Sequence, residues 1–203
     1  MKWFSKLLIA SLCLSYHSPF LISAESKDTS INAAYQKKIE EIYEEEISYY
    51  LSMNYPAEFG YSLYDIDQNG IDELLLLEDK QVKHIYTFME ATQEVIFLED
   101  LSAQFTVRDY SLITTDGIVF KRGSNGAMFT VYSAYEFTDS GNNTQVIYDF
   151  TWEYIAHPDR PYYRTNQPNK FYTEEEFLDM INGRHFDTEL QNAVKLEILP
   201  FDQ

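Results

Sequence analysis

Apolar residues recur at three- and four-residue steps near the start of the chain: Ile31, Tyr35, Ile39, Ile42, Tyr43, Ile47, Tyr50 and Leu51. That spacing puts them on one face of a helix. Glu40, Glu41, Glu44 and Glu45 fill the opposite face. The pattern predicts a helix from Ile31 to Met53, preceded by a flexible leader from Glu25 to Ser30. Asn54-Tyr55-Pro56 stops it, because proline disfavours helical geometry in the residue before it.

From Phe59 the period changes to two. Apolar runs at Phe59–Tyr64, Ile71–Leu77, His84–Phe88, Val95–Leu98, Phe105–Val107, Tyr110–Ile113, Ile118–Lys121, Met128–Phe137, Val146–Ile155 and Tyr162–Arg164 read as strands. Between them lie Asn69-Gly70, Asp116-Gly117, Ser124-Asn125-Gly126 and Ser140-Gly141-Asn142-Asn143, which suit hairpin turns. Ile71 to Leu77 is nearly unbroken apolar, as in a strand buried on both faces. Thr173-Glu174-Glu175-Glu176 has the spacing of a capping box, with Tyr172 and Phe177 placed as a hydrophobic staple. It predicts a short helix through Phe177, Met180 and Ile181 that stops at Gly183. Val194, Leu196 and Ile198 alternate with Lys195 and Glu197, predicting a last strand, or a short helix running into one. The fold class expected is α+β: an antiparallel β-meander or partial barrel with an N-terminal helix and a C-terminal helix.

The first residues fall outside this pattern. A short basic start with Lys2 and Lys6, an apolar run from Leu7 to Tyr16, and Ile22-Ser23-Ala24 before Glu25 have the three parts of a secretory signal peptide. The expected organisation is a signal peptide over 1–24 and a single secreted domain over 25–203. The expected location is secreted or cell-surface. A lipid anchor at Cys13 fits less well, since Leu12 stands where a lipobox has a small residue. Cys13 is the one cysteine, so the exported domain would hold no disulfide and no thiolate site. An exported domain without disulfides fits a Gram-positive source.

The 203 residues carry a net charge of −18. Removing Lys2 and Lys6 leaves 13 of the 15 basic residues against 33 acidic ones, near −20. Such a surface repels nucleic acid and anionic lipid and attracts cations, including basic proteins. At 45% hydrophobic and 16% aromatic residues the chain is too apolar for disorder, and its 17 tyrosines favour strands.

Asp65-Ile66-Asp67-Gln68-Asn69-Gly70-Ile71-Asp72-Glu73 carries the most specific chemistry. An EF-hand loop uses side-chain oxygens at positions 1, 3 and 5, a glycine at 6, a carbonyl at 7 and a bidentate glutamate at 12. Asp65, Asp67, Asn69, Gly70 and Ile71 satisfy the first five, but position 12 is Leu76 and both flanks are strand-like. The expected metal site is therefore borne on a hairpin, with Asp65, Asp67, Asn69, the Ile71 carbonyl and Glu73 as ligands to Ca2+ and Asp72 pointing elsewhere. The competing reading is a tight Asn-Gly hairpin whose aspartates accept backbone N–H bonds.

Other motifs carry less. His84, His157 and His185 have no partner at zinc-ligand spacing. No Gly-x-Ser-x-Gly elbow frames a serine. Arg122-Gly123-Ser124-Asn125-Gly126 lacks the lysine of a P-loop. Trp152, Tyr162 and Tyr163 could stack on sugar rings, although at strand spacing such residues are more often half-buried in the sheet.

The run from Phe59 to Leu75, together with Tyr86-Thr87-Phe88 and Thr173 to Phe177, resembles uncharacterised exported proteins of Firmicutes with an EF-hand-like acidic hairpin. The resemblance implies an extracellular α+β domain and no reaction. The leading functional expectation is a non-enzymatic, calcium-stabilised domain with an extracellular protein or cell-wall partner. The alternatives are a secreted hydrolase of wall or carbohydrate polymers and an acidic inhibitor or immunity-type protein binding a basic partner.

Overall fold

In the computed structural model, residues 19–103, 108–124, 129–138 and 143–201 are described, with side chains from residue 29 onward. Most of the expected signal peptide, the residue Cys13 and the strand expected at Phe105–Val107 lie outside them.

The helical segment opens with α1 (Pro19–Ile42), passes through one wide π turn at Tyr43–Ile47 and ends as α2 (Ser48–Ser52). It includes residues 25–30, expected as a flexible leader, because neither glycine nor proline interrupts the run from 20 to 52. Asn54 ends it in the left-handed region, at φ 53°, with the Tyr55 N–H bonding back to the Tyr50 carbonyl.

The strands are β1 (Phe59–Tyr64), β2 (Glu73–Glu78), β3 (Gln81–Met89), β4 (Glu94–Phe97), β5 (Tyr110–Ile113), β6 (Val119–Ser124), β7 (Phe129–Thr138), β8 (Asn143–Glu153), β9 (Tyr162–Arg164), β10 (Phe171–Tyr172) and β11 (Leu199–Pro200). They form one open antiparallel sheet in the order β10-β9-β8-β7-β6-β5-β3-β2-β1-β11, with β4 also pairing with β3. The sheet is a meander except at its β11 end and at β3, where β4 takes one half of the edge and β5 the other. Helices α3 (Glu174–Met180) and α4 (Phe186–Glu189) follow β10. Thr173 caps α3 in a closed capping box with Glu176.

Every residue of β2 is buried. Leu74 and Leu76 face Tyr35, Ile39, Ile42 and Ile47 of the helical segment. Leu75 and Leu77 face Ile66, Ile85, Leu101, Ile113 and Val119. A further cluster lies under α3 and α4, where Phe150, Phe120 and Tyr148 meet Phe177 and Phe186. Val194 and Leu196 pack on the β2 cluster, and the expected last strand pairs in two places: an isolated bridge of Ala193 with Thr114, where the Val194 N–H donates to the Ile113 carbonyl at 2.8 Å, and the β11 ladder at Leu199–Pro200.

Candidate functional site

β1 and β2 pair in register from Phe59–Glu78 to Tyr64–Glu73. The loop between them is residues 65–72, so Ile71 and Asp72 belong to the loop and not to the strand predicted for them. Gln68 at φ 58° and Gly70 at φ 86° turn the chain back on itself. The Asp65 carboxylate accepts from the N–H groups of Asn69 (3.0 Å) and Gly70 (2.9 Å). Asp67 accepts from the Asn69 N–H at 3.2 Å and from its Nδ2 at 3.0 Å. The Asn69 Oδ1 accepts from the Ile71 N–H at 2.7 Å. These Asx turns hold each side chain over the loop.

Glu73 is the first residue of β2 and is fully buried. Its Oε2 accepts from the Ile66 N–H at 2.8 Å and its Oε1 from the Thr87 hydroxyl at 3.1 Å. Among the described residues it forms no ion pair with a lysine or arginine. Burial, reinforced by the charges of Asp67 and Asp65, pushes its pKa up to about 8 against the pull of those two hydrogen bonds. Burial first and the Asp65 charge second also raise Asp67 and Asp72 above the ordinary carboxylate range.

Carboxylate oxygens of Asp65, Asp67 and Glu73 lie within 4.8 Å of one another. Two oxygens bound to one calcium ion at 2.3–2.6 Å stand at most about 5 Å apart, so this spacing fits one ion. The donors are all oxygen, the type a hard cation takes. Among the described residues this is the group of acidic or histidine side chains that converges in this way. Asn69 lies beside it with its Oδ1 turned onto the Ile71 N–H. Asp72 stands outside the group. Its carbonyl accepts from the Tyr35 hydroxyl at 2.6 Å, and its carboxyl takes a backbone bond from Asp65.

Two neighbours hold the loop in place. Tyr35 ties it to α1. From the other side the β5–β6 turn presses Gly117 onto it, where a Cβ would stand 2.7 Å from the Ile66 carbonyl oxygen. Sequence reasoning missed Tyr35 and Thr87 as parts of this site. Both reach it through tertiary contacts, and nothing local in the sequence marks them.

The histidines are used elsewhere. His84 is buried beside Tyr86 and Phe97, and burial lowers its pKa to about 4. His157 lies against Phe171, with ring centroids 3.6 Å apart. The His185 Nδ1 accepts from the Asp187 N–H at the start of α4.

No described protein family and no curated protein matches the chain. Among solved structures, one titled "Structure of a Xanthomonas Type IV Secretion System related protein" is similar, at 17% identity and a TM-score of 0.36. The match covers 55% of this chain and spans 56% of that one.

Proposed function

We propose that this chain is a non-enzymatic extracellular domain whose β1–β2 hairpin is clipped by a calcium ion, and that it acts at the cell surface or on an extracellular partner. The observation that carries the reading is Glu73, a carboxylate buried at the root of the most buried strand and facing two more carboxylates. A cation there replaces mutual repulsion with attraction. Asp65, Asp67 and Glu73 supply charged oxygens, Asn69 and the Ile71 carbonyl complete the protein's share, and water fills the remaining positions. The same carboxylates can keep their backbone bonds, because an ionised carboxylate has about four acceptor sites.

The ion's role in this reading is to hold a corner of the sheet. Export follows from the signal-like N-terminus, and the net charge of −18 favours a basic partner. Affinity is of the order of ~0.1–1 mM, the range of extracellular calcium modules. The test is thermal unfolding in chelator and in millimolar calcium. Calcium should raise the melting temperature of the native protein and leave that of Asp67→Ala unchanged. Identical curves for the native protein with and without calcium refute the reading.

A further inference from the structure

A second site lies at the other end of the sheet. Register places Ser124 opposite Thr130, Thr130 opposite Trp152, and Trp152 opposite Tyr162. Directly opposed residues share a face of the sheet. Two residues along, the next row on that face is Arg122, Tyr132, Phe150 and Arg164. Helix α3 covers part of this face. Phe177 meets Phe150 at 5.1 Å and lies flat on Tyr162 at 4.2 Å, with 4° between the rings. Beyond that cover the face forms the floor of a cleft of about 750 Å³, within the size range of small-ligand sites.

The cleft combines three features. Trp152 and Tyr154 stack with centroids 5.9 Å apart and 19° between planes. Tyr154 is 54% exposed, so this aromatic platform is open to solvent. Polar groups ring it: Arg122, which bonds to Asp187 at 2.9 Å and lies over the Tyr132 ring, with Arg108, Asp159 and Glu174. His185 also lines it. Its Nδ1 accepts from a backbone N–H, which puts the ring proton on Nε2 as a donor, and burial keeps the ring below its ordinary pKa.

Charge selects the ligand class. Two guanidinium groups oppose a cation, and three carboxylates and a chain at −18 oppose an anion. A neutral ligand with one flat apolar face and a rim of hydroxyls meets no such penalty. Pyranose rings have that shape. Their C–H faces suit an aromatic surface, and adjacent hydroxyls suit the two-pronged carboxylate and guanidinium groups. We propose that this cleft binds a neutral oligosaccharide, with a sugar face on the Trp152–Tyr154 platform and hydroxyls bonded to Arg122, Glu174 and Asp187. The site is independent of the hairpin and of any cation.

Trp152 supplies the readout, since Trp3 is the chain's other tryptophan. In a Trp3→Phe background, all tryptophan fluorescence comes from the platform. Titration with chitohexaose, cellohexaose, xylohexaose and maltohexaose to ~10 mM should give a saturable change with at least one of them, at a Kd near or below ~1 mM. In calorimetry, Tyr154→Ala and Asp187→Asn should each weaken that binding at least tenfold with circular dichroism unchanged. Flat titrations with all four sugars overturn the proposal. So does binding that survives Tyr154→Ala, or a response to oligolysine or heparin in place of the neutral sugars.

Discussion

Replacing Glu73 by glutamine should stabilise the cation-free protein, the reverse of what removing a buried, hydrogen-bonded group normally does. Glu73 titrates at about 8 in the folded chain against an ordinary value of 4.5. Between those two values the native state holds a proton that the unfolded chain has released. Stability of the cation-free protein therefore falls as pH rises through that window. At pH 7, 2.5 pH units above the ordinary value at ~1.36 kcal/mol each gives about 3 kcal/mol of lost stability. Glutamine is neutral in both states and nearly the same shape. Its oxygen can accept from the Ile66 N–H, and its amide can donate to the Thr87 hydroxyl, which then acts as acceptor.

In chelator at pH 7, Glu73→Gln should therefore unfold later in urea by up to about 3 kcal/mol, or roughly 6–12 °C in melting temperature for a domain of this size. Its stability should also lose the decline between pH 5 and 8 that the native protein shows. In calcium the order should reverse, because the variant lacks a charged ligand. Native affinity for calcium should rise about tenfold from pH 7 to pH 9, as the proton that calcium must displace leaves unaided. The reasoning fails if Glu73→Gln in chelator is less stable than the native protein by ~1 kcal/mol or more and keeps the native slope with pH. That outcome would mean an ionised, well-compensated carboxylate with no need of a cation.

Tyr35→Phe deletes the hydroxyl that reaches the Asp72 carbonyl. It should cost about 1 kcal/mol in urea unfolding and raise hydrogen-exchange rates in residues 65–72. Phe150→Ala empties the centre of the cluster beneath α3, where Phe150 is fully buried. It should cost about 3–5 kcal/mol by chemical denaturation. Lys83 and Glu78 form a 3.3 Å ion pair with both side chains almost wholly buried. Lys83→Ala should cost about 3–5 kcal/mol in urea unfolding at pH 7 by leaving the carboxylate without that partner.

The long alternating segments were legible because burial follows period. β1, β5 and β9 have the bounds that the apolar runs predict, and the full burial of β2 follows from its unbroken leucines. Where pairing and burial part company, the pattern misleads. Val194 and Leu196 alternate inward as in a strand and do pack inward, yet pairing is limited to a single bridge at Ala193 and a short ladder at Leu199–Pro200. Alternation reports which side chains are covered, whereas a strand also needs a neighbour's edge. The Asp79–Lys80 turn shows a different limit. Both residues have positive φ, 50° and 68°, as a two-residue hairpin between Glu78 and Gln81 requires. Its sequence has no glycine to announce it. At the hairpin, spacing alone named Asp65, Asp67 and Glu73. Thr87 and Tyr35 come from strands and helices distant in sequence, and no local pattern connects them to the loop.

Position within the sheet argues for what the hairpin does. β2 has the helical cluster on one face and the Ile66–Val119 cluster on the other, so its first residue is where both clusters reach the end of the sheet. Glu73 occupies that residue. Its bonds run to Ile66 and to Thr87, which by strand alternation shares the face of Ile85, so both lie on the Ile66–Val119 side of the sheet. Tyr35 and Gly117 grip the same loop from the two sides. In the proposed reading an ion drawn to Glu73 fastens a loop that Tyr35 ties to α1 on one face and Gly117 meets on the other, while the loop itself buries little beyond Ile66 and Ile71. The cleft of about 750 Å³ lies at the β6–β9 end of the sheet, lined by none of the hairpin's carboxylates. In the two proposed readings, an ion fixes one end of a long open sheet and a ligand-sized cleft lies at the other.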